Sequence, residues 1–554
     1  MHGRIVQRQE DVRHQYDYII VGGGTAGLTV GDRLTENGKY SETGMDPSRM
    51  FNLTSVPSPA LNDREFWVGI GRSVGGSSTV NGQVMLRGTK EEYDAWKELG
   101  GPKSPWDWDG LLPYFKKVWD KTQEFNIKTN TDYWGTDTPI YSTYGPDRPA
   151  NITKSFYSAM ASMPGMTIAE DSGSGENGLY WYSMSQDPKT YQRSYARTGH
   201  WDNVPRDNYD MIVGTKVKKV LFDKHMSATG VQFVSENSTE LHPKVHTVNA
   251  RREVIIAAGT IHTPQVLMLS GVGPKPLLKS AGIKTKVDLP GVGSNFQDHS
   301  YIPNIGYEWG NPPPTEDAPG LTEAPNLVAM VGLPVIAPDS YEALASKYEK
   351  QNPESHLPPS YTPEQVHGYE AQQAVYSRLM RSPDTTFNEM MMFQPGGSIQ
   401  NLHPVSRGTV SIDPSNPEGD VIVDYRAASN EIDLDIVVEE IRFMRRYMAS
   451  SAFAQYKPRE TSPGSNYTTT EELTEWARGQ VIPSVFHPVG TCAKMPRELG
   501  GCVDEKLRVY GTRRLSVVDA SMMPTLIGAT TSMTVYAVAE KVNNSYYLSS
   551  DDEN

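Results

Sequence analysis

Near its N-terminus the chain reads Tyr16-Asp17-Tyr18-Ile19-Ile20-Val21-Gly22-Gly23-Gly24-Thr25-Ala26-Gly27, and this stretch restricts the fold more than any other. Tyr18 to Val21 is a short apolar run rich in β-branched residues, which suits a strand buried on both faces of a parallel sheet. Gly22, Gly24 and Gly27 follow in the spacing G-x-G-x-x-G. In that spacing the first glycine permits a tight turn, the second lets the backbone approach a pyrophosphate, and the third lets the next helix pack on the strand. Gly22, Gly24, Thr25, Ala26 and Gly27 are therefore candidate phosphate-cradling residues, because the free N–H groups at the start of that helix attract an anion. The predicted fold class is α/β, organised on a Rossmann-like dinucleotide-binding unit; a plain strand-turn-helix is the bland alternative.

A dinucleotide site normally continues into a second apolar strand, ending in an Asp or Glu about 20 residues beyond the glycines that holds the ribose hydroxyls. Here Glu36-Asn37-Gly38 leads into Lys39-Tyr40-Ser41-Glu42-Thr43-Gly44-Met45-Asp46-Pro47, with no apolar run. Glu42 is the acid nearest to that role, at a shortened distance and with no strand to deliver it.

With 554 residues the chain is long enough for a large core and two intergrown domains. Its net charge of −14 argues against nucleic acid or an anionic membrane as a partner. No uninterrupted apolar run is long enough to span a membrane. Residues 1–8 lack the apolar core of a signal peptide, while Asn52-Leu-Thr, Asn151-Ile-Thr, Asn237-Ser-Thr, Asn466-Tyr-Thr and Asn543-Asn-Ser are glycosylation sequons. The expectation is a soluble protein, either cytoplasmic or secreted after loss of a leader. Cys492 and Cys502 are the only cysteines, which excludes a disulfide scaffold or a cysteine-rich metal site; they could pair or stay free. No metal-ligand spacing and no G-x-S-x-G elbow after a strand is found.

Residues Gly71-Arg72-Ser73-Val74-Gly75-Gly76-Ser77-Ser78-Thr79-Val80-Asn81-Gly82-Gln83 form a glycine-serine loop able to lie against a flat ligand, with apolar anchors at Val74, Val80, Val84, Met85 and Leu86. Followed by Tyr93-Asp94-Ala95-Trp96 and Trp106-Asp107-Trp108-Asp109-Gly110-Leu111-Leu112-Pro113-Tyr114-Phe115, it resembles the first signature of the glucose-methanol-choline (GMC) family of flavin oxidoreductases. Gly259-Thr260-Ile261-His262-Thr263-Pro264-Gln265 through Gly273 resembles the second, and Gly291-Val292-Gly293-Ser294-Asn295-Phe296-Gln297-Asp298-His299 and the C-terminal block continue the likeness. The resemblance covers most of the chain except about 301–480.

It implies an FAD-binding domain over 1–100, 205–300 and 486–554, intergrown with an α+β substrate domain over 101–204 and 301–485 built on an antiparallel sheet roofing the flavin. It implies non-covalent FAD, since Val80 stands where some relatives carry a histidine bonded to the cofactor. Beside the glycines of the first turn, it assigns Val74, Gly75, Ser78, Asn81, Gly82, Val217, Ala258, Asp519 and Ala520 to the cofactor, with Val217 meeting adenine. From the residues alone, 209–259 reads as a β-meander of strands Met211–Val213, Val217–Phe222, Ala228–Val234 and Val245–Val248 that ends in the apolar run Val254-Ile255-Ile256-Ala257. Met390-Met391-Met392 could line an apolar or aromatic substrate's pocket, although ordinary core is the simpler reading.

The C-terminal block contains Val485-Phe486-His487-Pro488-Val489-Gly490-Thr491-Cys492. A lone histidine is more often structural than catalytic, but the resemblance puts His487 over the flavin, where an imidazole can take an alcohol's proton as hydride leaves the same carbon. The family places a second His or Asn beside it; the matching position here is Thr530, which can hydrogen-bond but is no base near neutral pH. The function implied is FAD-dependent oxidation of an alcohol, a small-molecule substrate, with His487 as base. The alternative is a redox-silent member of the fold that uses His487 as general acid and base for a cyclisation or dehydration.

Overall fold

The computed structural model describes residues 4–6, 11–33, 49–117, 119–121, 132–135, 140–144, 151–169, 171–202, 208–236, 243–314 and 327–549. The first strand, β1 (Gln15–Val21), runs into the glycine turn and then into helix α1 (Thr25–Arg33). The meander follows as β2 (Thr215–Phe222), β3 (Ala228–Ser235) and β4 (His246–Ile256), with helix α2 (Gly259–Leu269) behind it. The last two expected segments are thus one long strand, whose two halves do different work. Its beginning pairs antiparallel with β3, from Phe233 opposite His246 to Gly230 opposite Asn249. Its apolar end lies parallel between β1, with Ile19 opposite Val254, and the strand Leu515–Val517. Val254, Ile255 and Ile256 are fully buried there, as befits a strand covered on both faces. Among the described residues β1 ends this sheet. The stretch expected to hold the second strand, with Glu42, lies outside the described residues.

Behind the glycine turn, α1 packs on the closing helix Ser532–Ser549, and Arg33 Nε reaches the Glu540 carboxylate at 2.6 Å. Trp96, Trp106, Trp108 and Phe115 pack into this same nucleotide-side core.

The second half is built on two three-stranded antiparallel sheets. In one, β5 (Ser300–Trp309) is central to β8 (Gly396–Asn401) and the strand Pro458–Ser462; in the other, β6 (Leu327–Val331) is central to β7 (Asn388–Met391) and Gly178–Trp181. The apolar residues at helical spacing between Glu431 and Ser450 form helix α3 (Ile432–Met448). It buries Leu434, Ile436, Val437, Ile441 and Met444 in a second core with β6 and the segment Asn151–Ala161. The architecture is therefore α/β, a Rossmann-like unit intergrown with an α+β unit on antiparallel sheet. Among the described residues no helix is long and apolar enough to cross a membrane.

Candidate active site

One cavity of about 1500 Å³ runs between the two halves. Its floor is the glycine turn. Gly22 has φ of 126°, and a Cβ there would stand 2.2 Å from the Ala257 carbonyl oxygen. A Cβ on Gly27 would stand 2.0 Å from the Gly22 oxygen, so α1 can start this close to the strand only as glycine. By contrast a Cβ on Gly23, Gly82 or Gly259 would meet nothing, because these face the open cavity. The turn is closed by backbone inside and open outside, the shape that seats a pyrophosphate.

The serine-rich loop clasps this turn. The Gly75 N–H donates to Gly23 O at 2.8 Å, and a Cβ on Gly76 would come 2.7 Å from Gly24 Cα. Ser78 Oγ donates to Gly75 O at 2.6 Å. Buried Arg193, which the sequence did not single out, pins the loop from behind through Ser78 O, Asn81 Oδ1 and Asn81 O at 3.1, 2.6 and 2.8 Å.

Gly22, Gly24, Thr25, Ala26, Gly27, Val74, Ser78, Asn81, Gly82, Val217, Ala258, Asp519 and Ala520 all line the cavity, as do His487 and Thr530. Gly75 stands behind it in the clasp, and Glu42 lies outside the described residues. The carboxylate of Asp519 is occupied with backbone: one oxygen accepts from Gly259 N–H and the Thr263 hydroxyl (2.9 and 2.6 Å), the other from Ser521 N–H at 2.8 Å. It anchors the start of α2, whose first residues close the cavity wall. Val80 is buried on that wall, with no side-chain nucleophile to bond a flavin covalently.

At the far side stands a pair of imidazoles. His299, fully buried, has its Nε2 2.9 Å from the Ile527 carbonyl oxygen and its Nδ1 2.9 Å from Nδ1 of His487. A carbonyl only accepts, so His299 Nε2 carries the proton and its Nδ1 is the acceptor. His487 must then hold its own proton on Nδ1, which leaves Nε2 with the lone pair. Burial lowers the pKa of His299 well below the ordinary value, helped by the neighbouring His487 and His403, and burial takes His487 down to about 4. Both rings are therefore neutral near pH 7, as this assignment requires.

The backbone around His487 is equally fixed. Asp298 accepts the His487 N–H at 3.0 Å and the Ser484 hydroxyl at 2.6 Å, and burial pushes its carboxyl up to about 8. Phe486 has φ of 68°, a left-handed conformation costly for a bulky side chain. Its ring rests edge-on against Trp67 (5.6 Å) and directly over Gly69, where a Cβ would come within 2.6 Å. Thr530 Oγ1 donates to Val84 O at 3.2 Å. Cys492 and Cys502 form a disulfide five residues downstream of His487.

His299 was legible only as the end of Gln297-Asp298-His299, since nothing in its spacing announces a partner 188 residues away. The methionine cluster divides by strand alternation: Met391 lines the cavity, while Met390 and Met392 are buried in the second core.

The GMC oxidoreductase N-terminal family model matches residues 16–301 and the C-terminal one residues 404–539. The chain is 31% identical to the dehydrogenase xptC of Emericella nidulans, across 98% of this chain and 94% of that one. A fungal aryl-alcohol oxidase superposes with a TM-score of 0.88 and 32% identity, covering 96% of this chain and 99% of that one. An FAD-dependent oxidoreductase from Chaetomium thermophilum gives 0.89 and 29%, covering 97% and 100%. A glycine turn open to a pyrophosphate and a long cleft walled by small residues fit FAD, and with these likenesses the chain belongs to the GMC oxidoreductase family, FAD-dependent enzymes acting on CH–OH groups.

Proposed function

We propose that this chain oxidises a primary or secondary alcohol on an apolar or aromatic frame, with His487 as the base. The supporting observation is the proton order of the imidazole pair, which puts the lone pair of His487 on Nε2 of a residue that lines the cavity. FAD supplies the hydride acceptor when bound. The protein supplies the rest. His487 Nε2 takes the hydroxyl proton, and the Nδ1–H···Nδ1 bond to His299 holds the ring in place while it does so. The Asp298 and Ser484 bonds keep the His487 main chain from shifting, and Thr530 narrows the same wall. Desolvation lowers the base's pKa, which keeps it unprotonated at neutral pH at some cost in proton affinity.

Gly22, Gly24, Thr25, Ala26 and Gly27 would hold the pyrophosphate, and Val74, Ser78, Asn81, Gly82, Val217, Ala258 and Ala520 the flanking groups. The likeness to an aryl-alcohol oxidase, together with Trp67, Phe486 and Met391 on the cavity wall, favours an aromatic alcohol. The disulfide and the sequons favour an oxidising compartment.

The experiment is the absorption spectrum of the purified protein, followed by turnover of a panel of aromatic and aliphatic alcohols. Flavin bands with His487-dependent turnover are expected. A colourless protein that added FAD does not reconstitute would replace this reading with the redox-silent one, in which His487 serves as general acid and base.

A further inference from the structure

The cavity wall carries a carboxyl group that the chemistry above leaves unused. In β7 successive side chains face opposite ways. Met390 is fully buried in the second core, whereas Glu389 and Met391 line the cavity. Glu389 is 1% exposed, and its Oε2 has no hydrogen-bond partner in the protein. The nearby donors are spent elsewhere: Gln400 Nε2 points to the Glu389 backbone oxygen at 3.4 Å, and the Tyr182 hydroxyl to Met391 Sδ at 3.9 Å. Burial alone pushes the carboxyl up to about 7, with no lysine or arginine opposing it.

This acid stands on the imidazole side of the cleft. Gln400 on β8 is in register with Tyr301 on β5, two residues beyond His299. A buried, unmatched carboxyl beside a reaction site is costly unless a ligand completes it. We propose that Glu389 is the specificity-determining residue and takes a second hydroxyl of the substrate, so that the preferred alcohol is aromatic and carries a phenolic hydroxyl away from its reacting carbinol.

Three points favour this chemistry over others. A protonated carboxyl both donates and accepts, which matches a neutral hydroxyl. An ammonium group would have to be stripped of water beside Met391 and Val485, and repaid by one charge only. A plain apolar alcohol would leave the carboxyl unpaired, and sites built for a hydroxyl discriminate strongly against analogues lacking it.

The inference rests on the alcohol-oxidation reading above, so its test separates the two. Three benzyl alcohols, substituted at the para position with hydroxyl, methyl or aminomethyl, are compared by kcat/KM in the wild type, Glu389→Leu and Glu389→Met. Binding of the same three compounds is measured by calorimetry. Flavin content and thermal melting report whether each variant folds, and Glu389→Met, equally unable to hydrogen-bond a hydroxyl, serves where Glu389→Leu does not. The wild type is expected to prefer the hydroxylated alcohol over the methylated one by about tenfold or more. Glu389→Leu should erase or reverse that preference. An equal preference in the wild type and in Glu389→Leu, or a wild-type preference for the aminomethyl compound, would overturn the assignment. If the wild type oxidises none of them, the alcohol-oxidation reading falls. Calorimetry then decides Glu389 separately: tighter binding of the hydroxylated compound that is lost in Glu389→Leu supports it, and equal binding refutes it.

Discussion

The Nδ1 atoms of His299 and His487 lie 2.9 Å apart with their rings at 90°, so one imidazole presents its lone pair edge-on to the N–H of the other. What orders this pair sits further back. The Ile527 carbonyl that fixes His299 precedes Gly528, whose N–H donates to Glu92 Oε2 at 2.9 Å. Glu92 also accepts from Thr89 N–H at 2.9 Å, as the third residue of the helix Lys90–Gly100, and stands 3.1 Å from both His403 Nε2 and Thr386 N. A helix-capping acid thus tethers the loop that sets the proton order of the imidazole pair.

Replacing His487 by alanine removes the proposed base. Turnover is expected to fall by roughly 10²–10⁴-fold with flavin content unchanged. His299→Leu should give a smaller loss, confined to kcat, because it frees the ring of His487 without removing it. Steady-state kinetics of the two variants side by side checks both; a His299→Leu enzyme as fast as the wild type would break the proposed link.

The rate should depend on acid in one direction. His487 is depressed to about 4 by burial, and as the proposed base it would act unprotonated. From neutral pH down to that value kcat/KM is therefore expected to stay level, and below it to fall about tenfold per pH unit. A pH profile taken over the range in which the protein stays folded tests this; a fall already beginning near the ordinary histidine value would contradict it.

The glycine turn admits no side chain at Gly22 or Gly27. Gly27→Ala puts a methyl 2.0 Å from Gly22 O, a backbone atom that cannot swing aside, and should lose flavin and lower the melting temperature. Gly23→Ala, which points into open cavity, is expected to fold normally and to weaken the cofactor selectively. Flavin-to-protein absorbance ratios with melting curves separate the two effects.

Glu440 on α3 is fully buried, and neither carboxylate oxygen has a hydrogen-bond partner. Burial raises its pKa well above the ordinary carboxylate value. The folded state therefore holds a proton that the unfolded state releases. The stability present at low pH is lost as pH rises through the unfolded value toward the folded one. Glu440→Met should stabilise the protein by about 1–3 kcal/mol near neutral pH and flatten that dependence. Denaturant unfolding at two pH values measures it.

Reducing the Cys492–Cys502 bond opens a loop of ten residues' separation. The expected cost is about 3 kcal/mol, read as a lower melting temperature in reductant. Thiol labelling of the native, unreduced protein should find neither cysteine reactive.

His487 was singled out only by a family resemblance; the sequence by itself determined whatever short-range patterns encode: the strand-glycine-helix turn, the glycine-serine loop, the meander strands from Val217 on, and helix α3. These are legible because a period of two or 3.6 residues, or a glycine spacing, is a local consequence of backbone geometry. Only the tertiary structure decided which distant groups meet. His299 acquires its role from a residue 188 positions on, Arg193 from a loop 112 positions back, and Glu389 from the alternation that turns it, and not Met390, toward the cavity. The state of the cysteines was settled in the same way, since a spacing of ten allows either outcome and only the folded chain brings the two sulfurs together. A buried polar contact has no sequence period; it exists because folding has removed water from both partners at once.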